Sequence, residues 1–111
     1  MGRVSRGEIW TVAGGVYASK PRPALVVQDD RFDATESVTV APLTSTVVDA
    51  PLLRIPVHAT STSGIHSDSL VMIDKLTTVR RGNIKERVGR VSAAQLVEIE
   101  RALMVFLGLA D

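Results

Sequence analysis

Arg22 stands between two prolines, in Pro21-Arg22-Pro23. A proline fixes its own φ and pushes the residue before it toward extended backbone, so Arg22 is held stiffly on both sides. A guanidinium on such a backbone, at the entrance of a strand, is preorganised to fork onto a phosphate. The same stiffness would also serve an arginine in a structural ion pair. Pro42-Leu43-Thr44-Ser45-Thr46 supplies three hydroxyls at the end of another apolar stretch. They can donate to phosphate oxygens, or they can simply finish a polar strand end. His58 and His66 both lie in a Ser/Thr-rich stretch. Imidazole is the default acid–base group near neutral pH, and two imidazoles facing one phosphate could run a ribonuclease mechanism. Without that company they read as solvated loop residues. Asp29, Asp30 and Asp33 share one short stretch but lack the glycine and terminal bidentate Glu of a calcium loop, which leaves a turn-forming acidic loop. Gly14-Gly15 has no more of a dinucleotide or phosphate-loop pattern around it, so it reads as turn chemistry.

The composition bounds what these residues can be doing. A chain of 111 residues is long enough for one domain, taken as residues 1–111, and too short for two ordinary ones. Aromatic residues make up only 4%, so a core must be built from Val, Leu, Ile and Ala. Thirteen Lys and Arg against twelve Asp and Glu argue against a polycation, although a local basic groove can sit inside a neutral total. The absence of cysteine excludes thiolate metal sites, iron–sulfur clusters and cysteine nucleophiles, and two histidines supply a zinc site poorly. No stretch approaches the roughly 18 apolar residues of a membrane span. The opening Met1-Gly2-Arg3-Val4-Ser5-Arg6 lacks the apolar region of a secretory signal and is a weak match to a myristoylation site. The expectation is a cytoplasmic protein with no membrane association.

The elements that must position the candidate residues are mostly strands. Glu8–Ala13, Pro23–Gln28, Ser37–Ala41, Leu52–Val57, Ser69–Ile73, Leu76–Val79 and Arg87–Val91 are short, rich in branched residues and bounded by turn residues. Pro23–Gln28 is apolar enough to be buried on both faces. In Leu52–Val57, Leu53, Ile55 and Val57 share one face, and Pro56, which cannot donate to a ladder, favours an edge. The period then changes. Ser92-Ala93-Ala94-Gln95 fits a capping box, Leu96, Ile99, Leu103 and Phe106 recur at helical spacing, and Gly108 is placed as the stop. Val97, Met104 and Leu107 form a second apolar stripe, suited either to a subunit contact or, like the first, to packing within the chain. The short connections favour antiparallel pairing in a small, curved sheet or barrel with one C-terminal helix.

Five segments in order along nearly the whole chain resemble the MazF/PemK family of toxin endoribonucleases. They are Arg6-Gly7-Glu8-Ile9-Trp10, Pro21-Arg22-Pro23-Ala24-Leu25-Val26-Val27, Ala41-Pro42-Leu43-Thr44-Ser45, Asp68-Ser69-Leu70-Val71-Met72 and Leu107-Gly108-Leu109. The resemblance implies a mainly β fold with a helix: a small SH3-like, strongly bent antiparallel barrel closed by the C-terminal helix and working as a homodimer. It implies cleavage of single-stranded RNA at short sequence motifs without metal or other cofactor. The RNA 2′-hydroxyl attacks the adjacent phosphorus and leaves a 2′,3′-cyclic phosphate and a 5′-hydroxyl. The family's essential Arg falls on Arg22 and its essential Thr on Thr44.

The chemistry suits those residues, because the nucleophile belongs to the substrate and the protein need only stabilise charge on the phosphoryl oxygens. A guanidinium is a poor proton-transfer group, so electrostatic stabilisation by Arg22 comes first, with proton delivery by Arg22 left open. A flat pH–rate profile would agree; a bell near neutrality would turn attention to His58 or His66. Tyr17 stands where many relatives carry a loop Glu, and Lys75 where many carry Gln, so neither that Glu's role nor a cleavage motif carries over. Tyr17, Lys20, Ser45, Thr46, Ser69 and Lys75 are the expected RNA contacts. Trp10, Tyr17, Phe32 and Phe106 are the only rings for base stacking, and Phe106 is expected in the core. The family also implies an antitoxin partner whose C-terminal segment covers the RNA groove and dimer edge, and the near-neutral charge predicts a confined basic groove. Two other readings share the fold: a CcdB-like gyrase-binding toxin, and a non-catalytic RNA- or protein-binding module.

Overall fold

A computed structural model describes residues 3–14 and 20–111. Seven strands and one helix follow in chain order: β1 (Glu8–Val12), β2 (Arg22–Val26), β3 (Ser37–Thr44), β4 (Arg54–Val57), β5 (Ser69–Met72), β6 (Thr77–Arg80), β7 (Ile84–Arg90) and α1 (Ala93–Phe106). The sheet runs β4-β5-β3-β2-β1-β7, with β6 joined to β3, and every pairing is antiparallel. β4 and β7 end the sheet and do not pair with each other among the described residues, so the expected barrel is an unclosed sheet. Register shifts on the β1–β7 ladder, on either side of Trp10, are the irregularities that bend such a sheet.

β2 is buried on both faces, as its composition predicts. Leu25 packs with Ile9, Ala41, Leu43 and Ile99 on one side, while Ala24 and Val26 pack with Trp10, Val12, Val38 and Val40 on the other. β3 is longer than the sequence pattern suggests and runs on through Pro42 to Thr44. A proline inside a central strand is tolerated here because β3 changes partner: Ser37–Val40 pair with β6, whereas Leu43 and Thr44 pair with β5. Pro42 falls between the two ladders, where β3 changes neighbours and the missing donor costs little. β7 also starts earlier than expected, at Ile84. β4 lies at the sheet edge with Pro56 exposed, as its proline predicts.

The capping box forms as expected: Ser92 Oγ accepts from the Gln95 N–H at 3.1 Å, and Gln95 Oε1 accepts from the Ser92 N–H at 3.1 Å. Ile99 and Leu103 are the buried residues of α1. Phe106 is not core: it is 44% exposed, at the last turn of α1, and lines a groove with the Ala50–Leu53 loop. Arg6 pins the helix to the sheet, donating to Glu100 from Nε at 3.2 Å and Nη2 at 2.8 Å, and to the Val27 carbonyl from Nη1.

The segment between β4 and β5 is docked on β7. Ser63, buried to 3%, donates to the His58 carbonyl at 2.7 Å, and the Arg90 N–H reaches the Thr62 carbonyl at 3.0 Å. Two glycines permit the contact. A Cβ at Gly89 would overlap the Thr62 and Ser63 carbonyls, and one at Gly64, where φ is +69°, would overlap the Val88 carbonyl. Overpacking of this kind costs about 1–3 kcal/mol. Gly89→Ala is therefore expected to lower the unfolding free energy by that amount, read as a lower urea midpoint at unchanged m-value; a midpoint equal to wild type would show that the docking is loose.

Candidate active site

Arg22 opens β2 and is exposed; Thr44 closes β3 and is half-buried. Their relation follows from the β2–β3 register, in which Val26 faces Val40, Leu25 faces Ala41 and Ala24 faces Pro42. Continued by two residues, that register sets Arg22 across from Thr44. Both line a cleft of about 670 Å³ whose other walls come from Thr11 of β1, Glu86 and Arg87 of β7, and His66, Ser67 and Ser69 of the docked segment and the start of β5. Pro21 and Pro23 line it too, so the stiff backbone is itself part of the wall.

The hydroxyls are not equivalent. Thr44 Oγ1 accepts from the Thr46 N–H at 3.1 Å, which fixes the oxygen and leaves its proton free to donate into the cleft. Ser69 Oγ donates to the Ser67 carbonyl at 3.0 Å, so its proton is engaged and what remains is acceptor capacity. Ser45 and Thr46 are exposed on the rim beside Thr44.

Glu8 organises the β7 wall. Its carboxylate accepts from Arg87 Nε at 2.8 Å, from the Ser5 N–H at 2.7 Å and from the Trp10 indole at 3.2 Å. Burial works against the charge on Glu8, but the hydrogen bonds from Arg87, Ser5 and Trp10 outweigh it and hold the carboxyl below its ordinary value of 4.5. Arg87 is thereby aimed, and Glu86 beside it is anchored through its N–H to Thr11 Oγ1 at 3.0 Å. The wall is mixed in charge: Arg22 and Arg87 share the cleft with Glu86.

The two histidines separate. His58 Nδ1 sits 3.3 Å from Asp68 Oδ2, while Asp68 Oδ1 accepts from the Ala59 N–H at 2.7 Å. The Ala59 amide first, then His58, hold the Asp68 carboxyl below its usual value. This pair closes the base of the segment and does not line the cleft, whereas His66 does. Lys20 is exposed before β2, and Lys75 lies on the 3-10 turn Ile73–Lys75 after β5; neither lines the cleft. Tyr17 lies outside the described residues. Trp10 is 6% exposed and committed to the core, so it is no stacking platform. Phe32 is exposed on another face, beneath the Arg31 guanidinium. Asp29 caps its own turn by accepting from the Arg31 N–H at 2.8 Å, and Asp30 accepts from the Arg6 N–H at 2.7 Å, so the acidic loop is structural. Among the described residues, no group of three or more His, Cys, Asp or Glu could hold a metal ion, and no helix is long and apolar enough to cross a membrane. Glu86 was missed in the sequence because it precedes the expected start of β7, and Arg87 because its tie to Glu8 joins residues far apart in the chain.

Comparison with known proteins bears on this geometry. Residues 5–107 match the family model described as PemK-like, MazF-like toxin of type II toxin-antitoxin system. The chain belongs to the PemK/MazF toxin family. It is 54% identical over 106 residues to a probable endoribonuclease MazF of Mycolicibacterium smegmatis, covering 95% of this chain and 97% of that protein. It is 34% identical to endoribonuclease MazF9 of Mycobacterium tuberculosis, covering 94% and 96%. Among solved structures, toxin MazF-mt6 of Mycobacterium tuberculosis superposes with a TM-score of 0.79 at 24% identity, covering 94% of this chain and 99% of that one. An endoribonuclease in complex with its cognate antitoxin, from a mycobacterial species, gives 0.77 at 24% identity, covering 97% and 98%. The unclosed seven-stranded sheet with one C-terminal helix is thus the MazF fold, and Arg22, Thr44 and Ser69 of the cleft lie in segments that carry the family likeness.

The depressed Glu8 carboxyl has a pH signature. A carboxyl whose folded pKa lies below its unfolded value contributes stability above the unfolded value and loses it as pH falls through the folded one. Glu8→Gln is expected to melt below wild type at pH 7, with the gap closing as the pH drops below 4.5. A gap of constant size down to pH 3 would show that Glu8 acts by shape and not by charge.

Proposed function

We propose that this chain, residues 1–111 as one toxin domain, is a sequence-specific endoribonuclease acting on single-stranded RNA in the cytoplasm. The RNA 2′-hydroxyl attacks the adjacent phosphorus, and the products are a 2′,3′-cyclic phosphate and a 5′-hydroxyl. No metal or other cofactor takes part. The observation that carries this reading is Arg22 set across from Thr44 in one cleft, on a register fixed by a buried ladder.

Each residue has a role that its surroundings allow. Negative charge grows on the phosphoryl oxygens as the phosphorus becomes five-coordinate. Arg22 offers a guanidinium fork held by two prolines, and Thr44 offers a hydroxyl proton whose oxygen is already fixed by Thr46. Both are aimed before substrate arrives, so little reorganisation accompanies the reaction. Ser45, Thr46 and Ser69 border the reacting phosphate and contact the neighbouring nucleotides, Lys20 and Lys75 act outside the cleft, and Tyr17 is a further RNA contact. The names of the mycobacterial relatives, as endoribonucleases, support the same reading.

The partners follow. The protein works as a homodimer, and the second apolar stripe supports this: Val97, Met104 and Leu107 are 45%, 41% and 54% exposed on α1. A cognate antitoxin inhibits it by laying a C-terminal segment over the groove, with acidic residues toward Arg22 and Arg87 and apolar residues toward the helix stripe.

In EDTA, wild type is expected to cut mixed-sequence single-stranded RNA at a short motif, with ends that map to a cyclic phosphate and a 5′-hydroxyl. Arg22→Ala and Thr44→Ala are each expected to slow cleavage about 100- to 1,000-fold with unchanged melting temperature. A folded wild type that cuts nothing would overturn the ribonuclease reading in favour of a binding module.

A further inference from the structure

Two proton transfers accompany the proposed cleavage. The 2′-oxygen loses its proton as its bond to phosphorus forms, and the 5′-oxygen gains one as the P–O5′ bond breaks. Arg22 and Thr44 are suited to neither, because guanidinium and hydroxyl protons do not come off near neutral pH.

The cleft holds two groups of the right kind. His66 comes from the segment docked on β7, and Glu86 comes from β7 itself, and both line the same cleft as Arg22 and Thr44. Both are exposed to it, and among the described residues neither side chain has a hydrogen-bond or ion-pair partner. This contrasts with His58, which is tied to Asp68, and with Glu8, which accepts three hydrogen bonds. Their placement is built: Gly64 and Gly89 let the segment close onto β7, and Thr11 Oγ1 holds the Glu86 backbone. Arg22 and Thr44 come from the β2–β3 ladder, while the acid–base candidates come from β7 and what docks on it. A phosphodiester held by the first pair therefore lies within one cleft with the second.

We propose that His66 and Glu86 are the proton-transferring catalytic residues of this cleavage, an inference that rests on the ribonuclease reading above. Glu86, as carboxylate, takes the proton of the 2′-hydroxyl while the O2′–P bond forms. His66, as imidazolium, gives its proton to the 5′-oxygen while the P–O5′ bond breaks. The pair ends as carboxylic acid and neutral imidazole, and exchange with water restores both. The charged groups that share the cleft with them are Arg22 from β2 and Arg87 from β7; Asp68, two residues beyond His66, is engaged by Ala59 and His58 and does not line it. Thr11, Ser67 and Ser69 complete the surround without charge.

With one base and one acid at work, kcat/KM should follow a bell against pH, its rising limb set by the base Glu86 and its falling limb by the acid His66. The test follows an oligoribonucleotide containing a mapped cleavage site, in EDTA, from pH 4.5 to 9. His66→Gln is expected to lose about 100- to 10,000-fold and the falling limb, and Glu86→Gln to lose the rising limb. A second substrate carries sulfur in place of the 5′-bridging oxygen at that site, a leaving group that departs without protonation. On it His66→Gln should return to near the wild-type rate, while Arg22→Ala stays slow. His66→Gln with the wild-type rate and profile would overturn the proposal and leave the ribonuclease reading intact, since that reading is judged on Arg22 and Thr44. His66→Gln that melts normally and stays slow on the sulfur substrate would overturn the acid role. A wild type that cuts neither substrate removes both.

Discussion

The antiparallel ladder between β2 and β3 is the constraint on which the molecule turns. It is central in the sheet, and its residues are buried on both faces, with Ala24, Leu25, Val40 and Ala41 fully inaccessible. In such a ladder a slip of one residue would exchange the two faces and expose both apolar sets. The register is therefore determined by the core, and the core thereby determines which side chain stands across from Arg22. The prolines extend this control to the ends, one stiffening the approach to Arg22 and another marking the point where β3 leaves β6 for β5.

Other contacts brace this ladder from outside. Arg6 joins α1 to the residue that follows β2, through Glu100 on one side and the Val27 carbonyl on the other. Glu8, two residues on, gathers Arg87, Trp10 and the Ser5 amide. The opening Arg-Gly-Glu-Ile-Trp segment is thus a structural clamp. It aims one cleft residue and ties the helix down, and its tryptophan is spent on the core.

Much of this was legible in the sequence, for local reasons. A strand buried on both faces, a proline-marked edge and a capping box each have a short-range cause, and each formed as read. What was not legible depended on contacts distant in sequence. The pattern could not show that β3 continues through Pro42, because that depends on where β5 and β6 come to lie. Phe106 fits the buried stripe by spacing, yet at the last turn of α1 it is exposed. Trp10 counts as an available ring until its indole is found on Glu8. The histidines look alike as loop residues, and only the closure of Gly64 onto β7 and the Asp68 clasp on His58 tell them apart. Lys75 sits after the right strand but on a turn that leads away from the cleft.

The docked segment also sets where this protein can change without refolding. Its base admits no side chain at Gly64 or Gly89 and is held by buried Ser63, so substitution there disturbs the backbone of β7. Just beyond, the exposed side chains of His66 and Ser67 line the open cleft, and neither is engaged in a side-chain hydrogen bond among the described residues. Variation is thereby channelled to the side chains that line the cleft. The fold behaves as a fixed handle with an exchangeable blade, its rim free to drift while its framework stays put.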